Sequence, residues 1–440
     1  MSGQGTPARG VLTSRGRAFL AAGLALAIGG HVLGFTDITR VGVLLSALPL
    51  LAGLRARRHH SAIVVTRTVH PARLLVDQTA QVEVTLQNTS GRRSPLQLAE
   101  EDVPYLLGDQ PRFVLPDMEP GILRQVDYQI RSQVRGRYRL GPLTLRKQDP
   151  YGLAVCATTL PGSTDILVLP RIEVLGRGHP RANGVGAEGA IPHMVALHGE
   201  DDVAVRSYRQ GDDLRRIHWP ATAHRSELMV RQEDHPARRR AVIVLDSRAA
   251  GHQGPGAMGS FEWAVTAAAS VAAHLSEHHY SLHLAISETT AGGRAAQSVG
   301  IDDALACLAM AQTGPSAQFA EVLRWAQPLS ATGDLVIAIV TDHDDAAIRR
   351  TAALRQPEGT GLLILLDTAS FTQPRPAAPT APTAPTAPSA PRAPTERTLA
   401  LATMVAASGW STCVVTAGMS VAQAWDVISA TTAVMVGTGR

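Results

Sequence analysis

The chain has 440 residues, 45% of them hydrophobic, and a formal net charge of +4 at pH 7. This length exceeds one ordinary hydrophobic core and predicts two or three domains. The first 60 residues hold seven arginines and a single acidic residue, Asp37, whereas the rest of the chain is slightly acidic. The basic excess therefore lies beside apolar segments, which indicates a membrane partner rather than nucleic acid.

Lysine and cysteine usage excludes several classes of site. The only lysine is Lys147, so no phosphate loop with a lysine after a glycine turn is present, and Schiff-base chemistry is disfavoured. Three cysteines, Cys156, Cys307 and Cys413, lack paired spacing. Neither a disulfide framework nor a thiolate zinc site is predicted, and a reducing compartment suits the chain.

Two apolar runs follow a predicted cytoplasmic tail of residues 1–17. Residues 18–35 are just long enough to cross a bilayer, while residues 41–54 contain Pro49 and are short enough for a re-entrant or interfacial segment. We predict two transmembrane helices within residues 18–58, with lipid contacts along residues 18–54 and residues 36–40 as a short link.

Arginine placement predicts the orientation of this hairpin. Arg15 and Arg17 flank its start, and Arg55, Arg57 and Arg58 flank its end. The positive-inside bias then places both ends, and the soluble domains, in the cytoplasm of a multi-pass membrane protein. A cleaved signal peptide is the alternative, but no clear cleavage site precedes the second apolar run.

Residues 61–178 show short alternating apolar stretches separated by turn residues, as at residues 82–86 and 125–130. This pattern predicts an antiparallel, immunoglobulin-like β-sandwich. Glu100, Glu101 and Asp102 are consecutive acids, which we expect in a solvated loop rather than in a site.

Residues 179–235 form a polar signature segment. It contains Arg206-x-Tyr208-x-x-Gly211-Asp212, then Arg215-x-Ile217-x-Trp219. This segment resembles the bacterial family known as domain of unknown function 58. Residues 135–138 and 149–153 resemble other recurrent segments of that family, and the resemblance extends over roughly residues 15–440.

Three functions are open for the signature segment. Asp212 and Asp213 with His218 and His224 suit a metal or acid–base site, but the two histidines are six residues apart, which is wide for zinc ligands. Ion pairs of the two acids with arginines, anchored by aromatic side chains, are favoured. A protein-docking surface also fits; its residues are Arg206, Tyr208, Gly211, Asp212, Asp213, Arg215, Arg216, His218, Trp219 and Arg225.

Residues 236–440 alternate strand-like and helix-like stretches. Buried-strand patterns at residues 241–245, 282–286, 335–340, 362–366 and 412–415 predict an open, mostly parallel α/β sheet of Rossmann type, without a dinucleotide-binding glycine motif. Residues 373–395 are rich in proline and alanine and predict a solvated insert that does not divide the fold.

The α/β region resembles von Willebrand A-like domains, in which an Asp-x-Ser-x-Ser motif after the first strand and a later Thr-Asp bind a divalent cation. Here Asp246 and Asp342 keep the acids, but Arg248 and Ala250 replace the two serines. We predict that Arg248 neutralises Asp246 and Asp342, leaving a metal-free site, with magnesium the disfavoured alternative.

The leading functional expectation is a membrane-tethered, non-enzymatic interaction scaffold without a cofactor and without a nucleic-acid partner. The family resemblance implies an adaptor for a MoxR-type AAA+ ATPase and other membrane proteins, in complex assembly or envelope stress. The alternatives are a metal-dependent hydrolase using Asp212, Asp213, His218 and His224, and an outward-facing adhesion protein.

Overall fold

The structure, a computed structural model, describes residues 9–58, 62–176, 205–207, 217, 219–225, 227–231, 239–293, 297–330, 335–357, 359–372, 393–430 and 435–436. The chain divides into two compact units. One comprises Met1–Arg171 with Leu305–Met310, and the other comprises Ile172–Ala304 with Ala311–Arg440. The multi-domain α/β organisation predicted from the sequence is confirmed.

The first unit begins with a strand and two helices, β1 (Arg9–Leu12), α1 (Ser14–Val32) and α2 (Thr36–Arg58). Residues 9–12 of the predicted tail form β1, which pairs with a strand of the β-rich domain, and the cytoplasmic location of the tail stays a prediction. The predicted link at residues 36–40 is wrong, because these residues form the first turn of α2. The chain reverses instead around Gly34, whose φ of +76° suits glycine.

One helix among the described residues is long and apolar enough to cross a membrane, and it spans Thr36–Arg55. It contains the shorter of the two apolar runs. Pro49 lies inside α2 without ending it, and the helix runs on for nine further residues to Arg58. The helical segment is longer than its apolar run because polar residues extend it at both ends.

Helices α1 and α2 approach each other through small residues. A Cβ atom on Gly23 would lie 2.6 Å from the Ser46 nitrogen, and one on Gly42 would lie 2.3 Å from the Ala27 nitrogen. A Cβ on Gly30 would lie 2.7 Å from the Thr39 nitrogen. The two backbones can approach this closely only because side chains are absent at these glycines.

The rest of the first unit is a β-rich domain. Its strands are β2 (Ile63–His70), β3 (Leu74–Leu75), β4 (Thr79–Asn88), β5 (Gln97–Glu101), β6 (Arg112–Leu115), β7 (Leu123–Arg131), β8 (Gly136–Leu140), β9 (Leu143–Gln148), β10 (Ala154–Leu160) and β11 (Thr164–Leu169). They form sheets of order β1-β10-β9-β5-β6, β2-β4-β7 and β3-β11-β8. The pairs are antiparallel except β3–β11, which is parallel.

Alternation along these strands separates core from surface. In β4 the side chains of Ala80, Val82, Val84 and Leu86 are buried, and the residues between them are more exposed.

The same alternation overturns the prediction of a solvated acidic loop for Glu100 and Glu101, whereas Asp102 follows the strand and is exposed. Glu100 and Glu101 belong to β5, where Glu101 points inward and is fully buried. Its Oε1 accepts a 2.6 Å hydrogen bond from Arg67 Nε. Burial raises the pKa of Glu101, against the opposing effect of Arg67.

The second unit contains a two-stranded antiparallel sheet and an α/β domain. The strands of the small sheet are β12 (Val205–Ser207) and β13 (Met229–Arg231), and helix α3 (Trp219–Arg225) lies between them in the chain. The α/β strands are β14 (Arg240–Leu245), β15 (Ser281–Ala285), β16 (Leu335–Thr341), β17 (Gly361–Leu366), β18 (Ser411–Val415) and β19 (Met435–Val436). The helices are α4 (Ser260–Glu277), α5 (Ser287–Ala291), α7 (Ser316–Ser330), α8 (Asp345–Ala352), α9 (Glu396–Ala407) and α10 (Val421–Ala430). Helix α6 (Ile301–Met310) begins in the second unit, and its residues from Leu305 onward count with the first unit.

The six α/β strands form one sheet of order β15-β14-β16-β17-β18-β19, and every pair is parallel. All seven residues of β16 are buried, as expected for a parallel strand covered on both faces. One core cluster packs the sheet against α7, α8 and α9 through Val244, Phe319, Ile348 and Val405. The predicted open parallel sheet is confirmed.

Candidate functional site

The strand order reverses beside β14. The chain passes from β14 to β15 on one side and then to β16 on the other. Open α/β sheets bind ligands at the carboxyl ends of strands where this reversal occurs. Asp246, Asp342 and Asp367 directly follow β14, β16 and β17 at that edge. We call the polar residues gathered there the carboxyl-edge cluster; its members are Asp246, Arg248, Thr341, Asp342, Asp344, Asp367, Thr368 and Thr398.

Asp246 is fully buried, and its carboxylate is held from two sides. Arg248 donates from Nε to Oδ1 at 2.9 Å and from Nη2 to Oδ2 at 2.7 Å, a bidentate ion pair. The Arg248 backbone nitrogen donates to Oδ1 at 3.1 Å, and Thr341 Oγ1 donates to Oδ2 at 2.8 Å. Burial alone would raise the pKa of Asp246, but the bonds and charge of Arg248 bring it below its usual value.

Arg248 is 2% exposed, and its third guanidinium nitrogen bonds a second carboxylate. Nη1 donates to Asp344 Oδ2 at 2.9 Å, and the guanidinium carbon lies 4.9 Å from the centre of the Phe319 ring. Burial works against the charged form, but the two carboxylates outweigh it and raise the pKa of Arg248. The Arg248 guanidinium is therefore held at the carboxyl edge of the sheet by two carboxylates and an aromatic ring.

Asp342 has different partners from those predicted. Its Oδ1 accepts from Thr368 Oγ1 at 2.7 Å and from the Thr368 nitrogen at 3.2 Å, and its Oδ2 accepts from Thr398 Oγ1 at 2.7 Å. The prediction that Arg248 neutralises Asp342 is therefore wrong. Arg248 pairs instead with Asp344, two residues further on, because hydroxyl and amide donors already engage the Asp342 carboxylate.

Asp367 lies one strand further along the same edge and is fully buried. Its Oδ2 accepts from the Thr395 nitrogen at 2.7 Å, and its Oδ1 has no hydrogen-bond partner among the described residues. Burial raises the pKa of Asp367, and the nearby charge of Asp342 raises it further against the donor at Thr395. Asp367 thus joins the end of β17 to the start of α9.

Two polar contacts flank the cluster. The hydroxyl oxygens of Ser247 and Ser287 are 2.8 Å apart, joining the loop after β14 to the start of α5. The His252 ring lies between the Asp246 carbonyl oxygen, at 2.7 Å, and Ser260 Oγ, at 3.0 Å. Burial lowers the pKa of His252, so the neutral ring is favoured.

Around Asp246, Arg248 and Asp344 the cluster is an ion-pair network in which Arg248 is the cation. Both oxygens of Asp246 accept bonds from protein donors, and so do both oxygens of Asp342. Within the described part of the chain, no three His, Cys, Asp or Glu side chains are grouped to hold a metal ion. The sequence patterns predicted Asp246, Arg248 and Asp342 but not Asp344 and Asp367, although both acids follow strands at the same edge.

Comparison with family models gives a match to part of the chain. Residues 204–352 match the model described as protein of unknown function DUF58. The match supports the DUF58 family. It covers the end of the signature segment and the first half of the α/β domain, including Asp246, Arg248 and Asp342, and it is shorter than the resemblance predicted over residues 15–440.

Other comparisons add no functional argument to the DUF58 match. No curated protein matches the chain. A CARDB domain from Pyrococcus furiosus is 15% identical, with 24% of this chain and 87% of that chain covered and a TM-score of 0.19. The AlkC alkylpurine DNA glycosylase of Pseudomonas fluorescens is 13% identical, covers 30% and 39%, and has a TM-score of 0.18. The ApaA protein of Bordetella pertussis is 11% identical, covers 24% and 91%, and has a TM-score of 0.18.

The residues that carried the DUF58 resemblance are only partly described. Arg206 lies in β12, and Trp219 and Arg225 begin and end α3. Trp219 is 67% exposed, and His224 is exposed on the same helix. The other predicted signature residues lie outside the described residues; they are Tyr208, Gly211, Asp212, Asp213, Arg215, Arg216 and His218. The predicted proline-rich insert does too, except for residues 393–395 before α9.

Proposed function

We propose that this protein is a membrane-anchored, non-enzymatic interaction scaffold, and that its α/β domain is a von Willebrand A-like domain in which an ion pair replaces the cation. The observation that carries this proposal is the buried pair of Arg248 and Asp246, at 2.7 and 2.9 Å. It lies after β14, the first strand of the sheet in chain order, where related domains are expected to bind a divalent ion. The guanidinium of Arg248 supplies the positive charge there in place of a metal ion.

The helix pair supports the anchor. Its close approach at Gly23, Gly30 and Gly42 is typical of helices that pack in a bilayer. Large apolar side chains are exposed along both helices, and a contiguous apolar surface of this kind indicates a lipid or protein partner. They are Phe19, Leu24, Leu26, Ile28, Val32, Val41, Val43, Leu44, Leu50, Leu51 and Leu54.

The arginines at the ends of the pair support a cytoplasmic orientation for the folded units. Arg15 and Arg17 are exposed in the first turn of α1, and Arg55 is exposed in the last turn of α2. A hairpin with both ends positive inserts with those ends in the cytoplasm. On this topology, a cytoplasmic ATPase can reach the α/β domain.

The proposed partner is a MoxR-type AAA+ ATPase, which proteins of the DUF58 resemblance accompany. Trp219 supports a docking role for the signature segment, because an aromatic side chain that is 67% exposed is typical of an interface anchor. The scaffold would hold the ATPase at the membrane during assembly of other membrane proteins.

Crosslinking in intact membranes tests this function. The tagged full-length chain is crosslinked in its native host, solubilised and isolated, and the captured proteins are identified by mass spectrometry. We expect an AAA+ ATPase to be enriched, and Trp219→Ala to reduce its recovery at least tenfold. Tyr105→Ala is the matched control, because Tyr105 is a highly exposed aromatic residue outside the signature segment and away from the helix pair. Recovery without any ATPase would contradict the proposal.

A further inference from the structure

Within the first unit, the start of α1 is hydrogen-bonded to one turn of the β-rich domain. We call this end of the helix pair, where α1 begins and α2 ends, its base. Thr13 Oγ1 donates to the Gly152 carbonyl oxygen at 2.6 Å, and the Thr13 nitrogen donates to the Leu153 carbonyl oxygen at 3.0 Å. A Cβ atom on Gly16 would lie 2.1 Å from the same Leu153 oxygen. The start of α1 is therefore in backbone contact with the turn between β9 and β10.

Cationic side chains from three elements lie at this base. Arg15 belongs to α1, Arg55 to the last turn of α2 and Lys147 to β9. Arg15 Nη1 lies 3.9 Å from the position of a Cβ on Gly152, so it is against the turn. Helix α2 contacts β10, and Lys147 pairs in register with Cys156 of that strand.

The cations at this base form no salt bridge with the carboxylate of the adjoining turn, Asp149, whose buried Oδ2 has no hydrogen-bond partner among the described residues. Arg15, Arg55 and Lys147 form no ion pair with a described residue. The carboxylate of the turn, Asp149, uses its Oδ1 to accept from the backbone nitrogens of Leu153 and Ala154. Partial burial lowers the pKa of Lys147, and the like charge of Arg55 lowers it further against the effect of Cys156. Two cations are thus held close together, and an anion between them would relieve their repulsion.

We propose that Arg15, Arg55 and Lys147 form a binding site for the phosphate headgroup of an anionic phospholipid at the base of the helix pair. The proposal rests on the membrane anchor of the proposed function and names a ligand for it. A lipid is the occupant because the site adjoins the apolar helix surface. Tyr151, in the same turn and 75% exposed, is an aromatic residue of the type found at membrane interfaces.

Titration of phosphatidylglycerol into the detergent-solubilised full chain, read by native mass spectrometry, tests the site. We expect one tightly bound lipid, and about 25-fold weaker binding in the Arg55→Ala, Lys147→Gln double variant, from about fivefold for each cation. The double variant Arg124→Ala, Arg137→Ala removes the same charge from exposed positions on β7 and β8 and should bind as the unchanged protein does. Equal weakening in both double variants would overturn the site.

Four further measurements complete the test. Thermal melting should show that both double variants fold. Phosphatidylcholine should bind far more weakly than phosphatidylglycerol, and 10 mM inorganic phosphate should not displace the lipid; equal binding, or displacement, would overturn a headgroup site. Carbonate extraction of membranes separates the two proposals. If the unchanged protein is released from the membrane, the anchor and the site both fail. If it is retained but the two double variants bind phosphatidylglycerol equally well, only the site fails.

Discussion

At the residue scale, Arg248 is the most informative side chain of the α/β domain. It is buried, it bridges Asp246 and Asp344, and it packs on Phe319. A buried ion pair adds little net stability relative to apolar groups, but removing one partner leaves an uncompensated charge in a low dielectric. Arg248 and Asp246 should therefore behave as a unit.

A double-mutant cycle measures this coupling. Arg248→Ala should lower the free energy of unfolding by about 3–5 kcal/mol, because Asp246 remains buried without its cation. The double variant Asp246→Ala, Arg248→Ala should lose less than the sum of the single variants, by roughly 1–3 kcal/mol. Additive losses in denaturant unfolding, followed by fluorescence, would mean that the two residues are independent.

Restoring the serines provides a test of the cation hypothesis. Arg248→Ser with Ala250→Ser recreates Asp-x-Ser-x-Ser after β14 and frees the Asp246 carboxylate, so we expect the double variant to gain magnesium binding in calorimetry. Adding Asp246→Asn should abolish that gain. Tight magnesium binding by the unchanged protein, lost in Asp246→Ala, would show instead that Arg248 does not replace the ion.

At the element scale, buried parallel strands were the most predictable feature. Unbroken apolar runs such as residues 335–340 predicted β16 because a strand covered on both faces needs no polar alternation. The strand β1 was not predictable, since its four residues gain order only by pairing with β10. The burial of Glu101 could not be predicted either, because its ion-pair partner Arg67 lies 34 residues away in sequence.

The glycines of α1 provide an element-scale prediction. Gly23→Ala should destabilise the helix pair by about 1–3 kcal/mol, because the new Cβ would lie 2.6 Å from the Ser46 nitrogen. Gly29→Ala is the matched control, since nothing lies within 4 Å of its Cβ position, and alanine favours helix there. Thermal melting in detergent micelles should separate the two variants. Equal melting temperatures would refute close packing at Gly23.

At the scale of the whole molecule, composition and periodicity predicted an apolar N-terminal segment, a β-rich region and a parallel α/β domain. The carboxyl-edge cluster was predicted only in part. Sequence identifies acids that follow strands, but the choice between Asp342 and Asp344 as the partner of Arg248 depends on which acid already receives bonds from Thr368 and Thr398. That choice is made by tertiary contacts.

The proposed ATPase partner requires the folded units to lie in the cytoplasm. Protease protection measures this directly, with a tag placed after Arg440 and immunoblotting of intact cells against inside-out vesicles. We expect the tag and the β-rich domain to resist protease in intact cells and to be digested in inside-out vesicles. Digestion from outside intact cells would contradict the membrane-scaffold proposal.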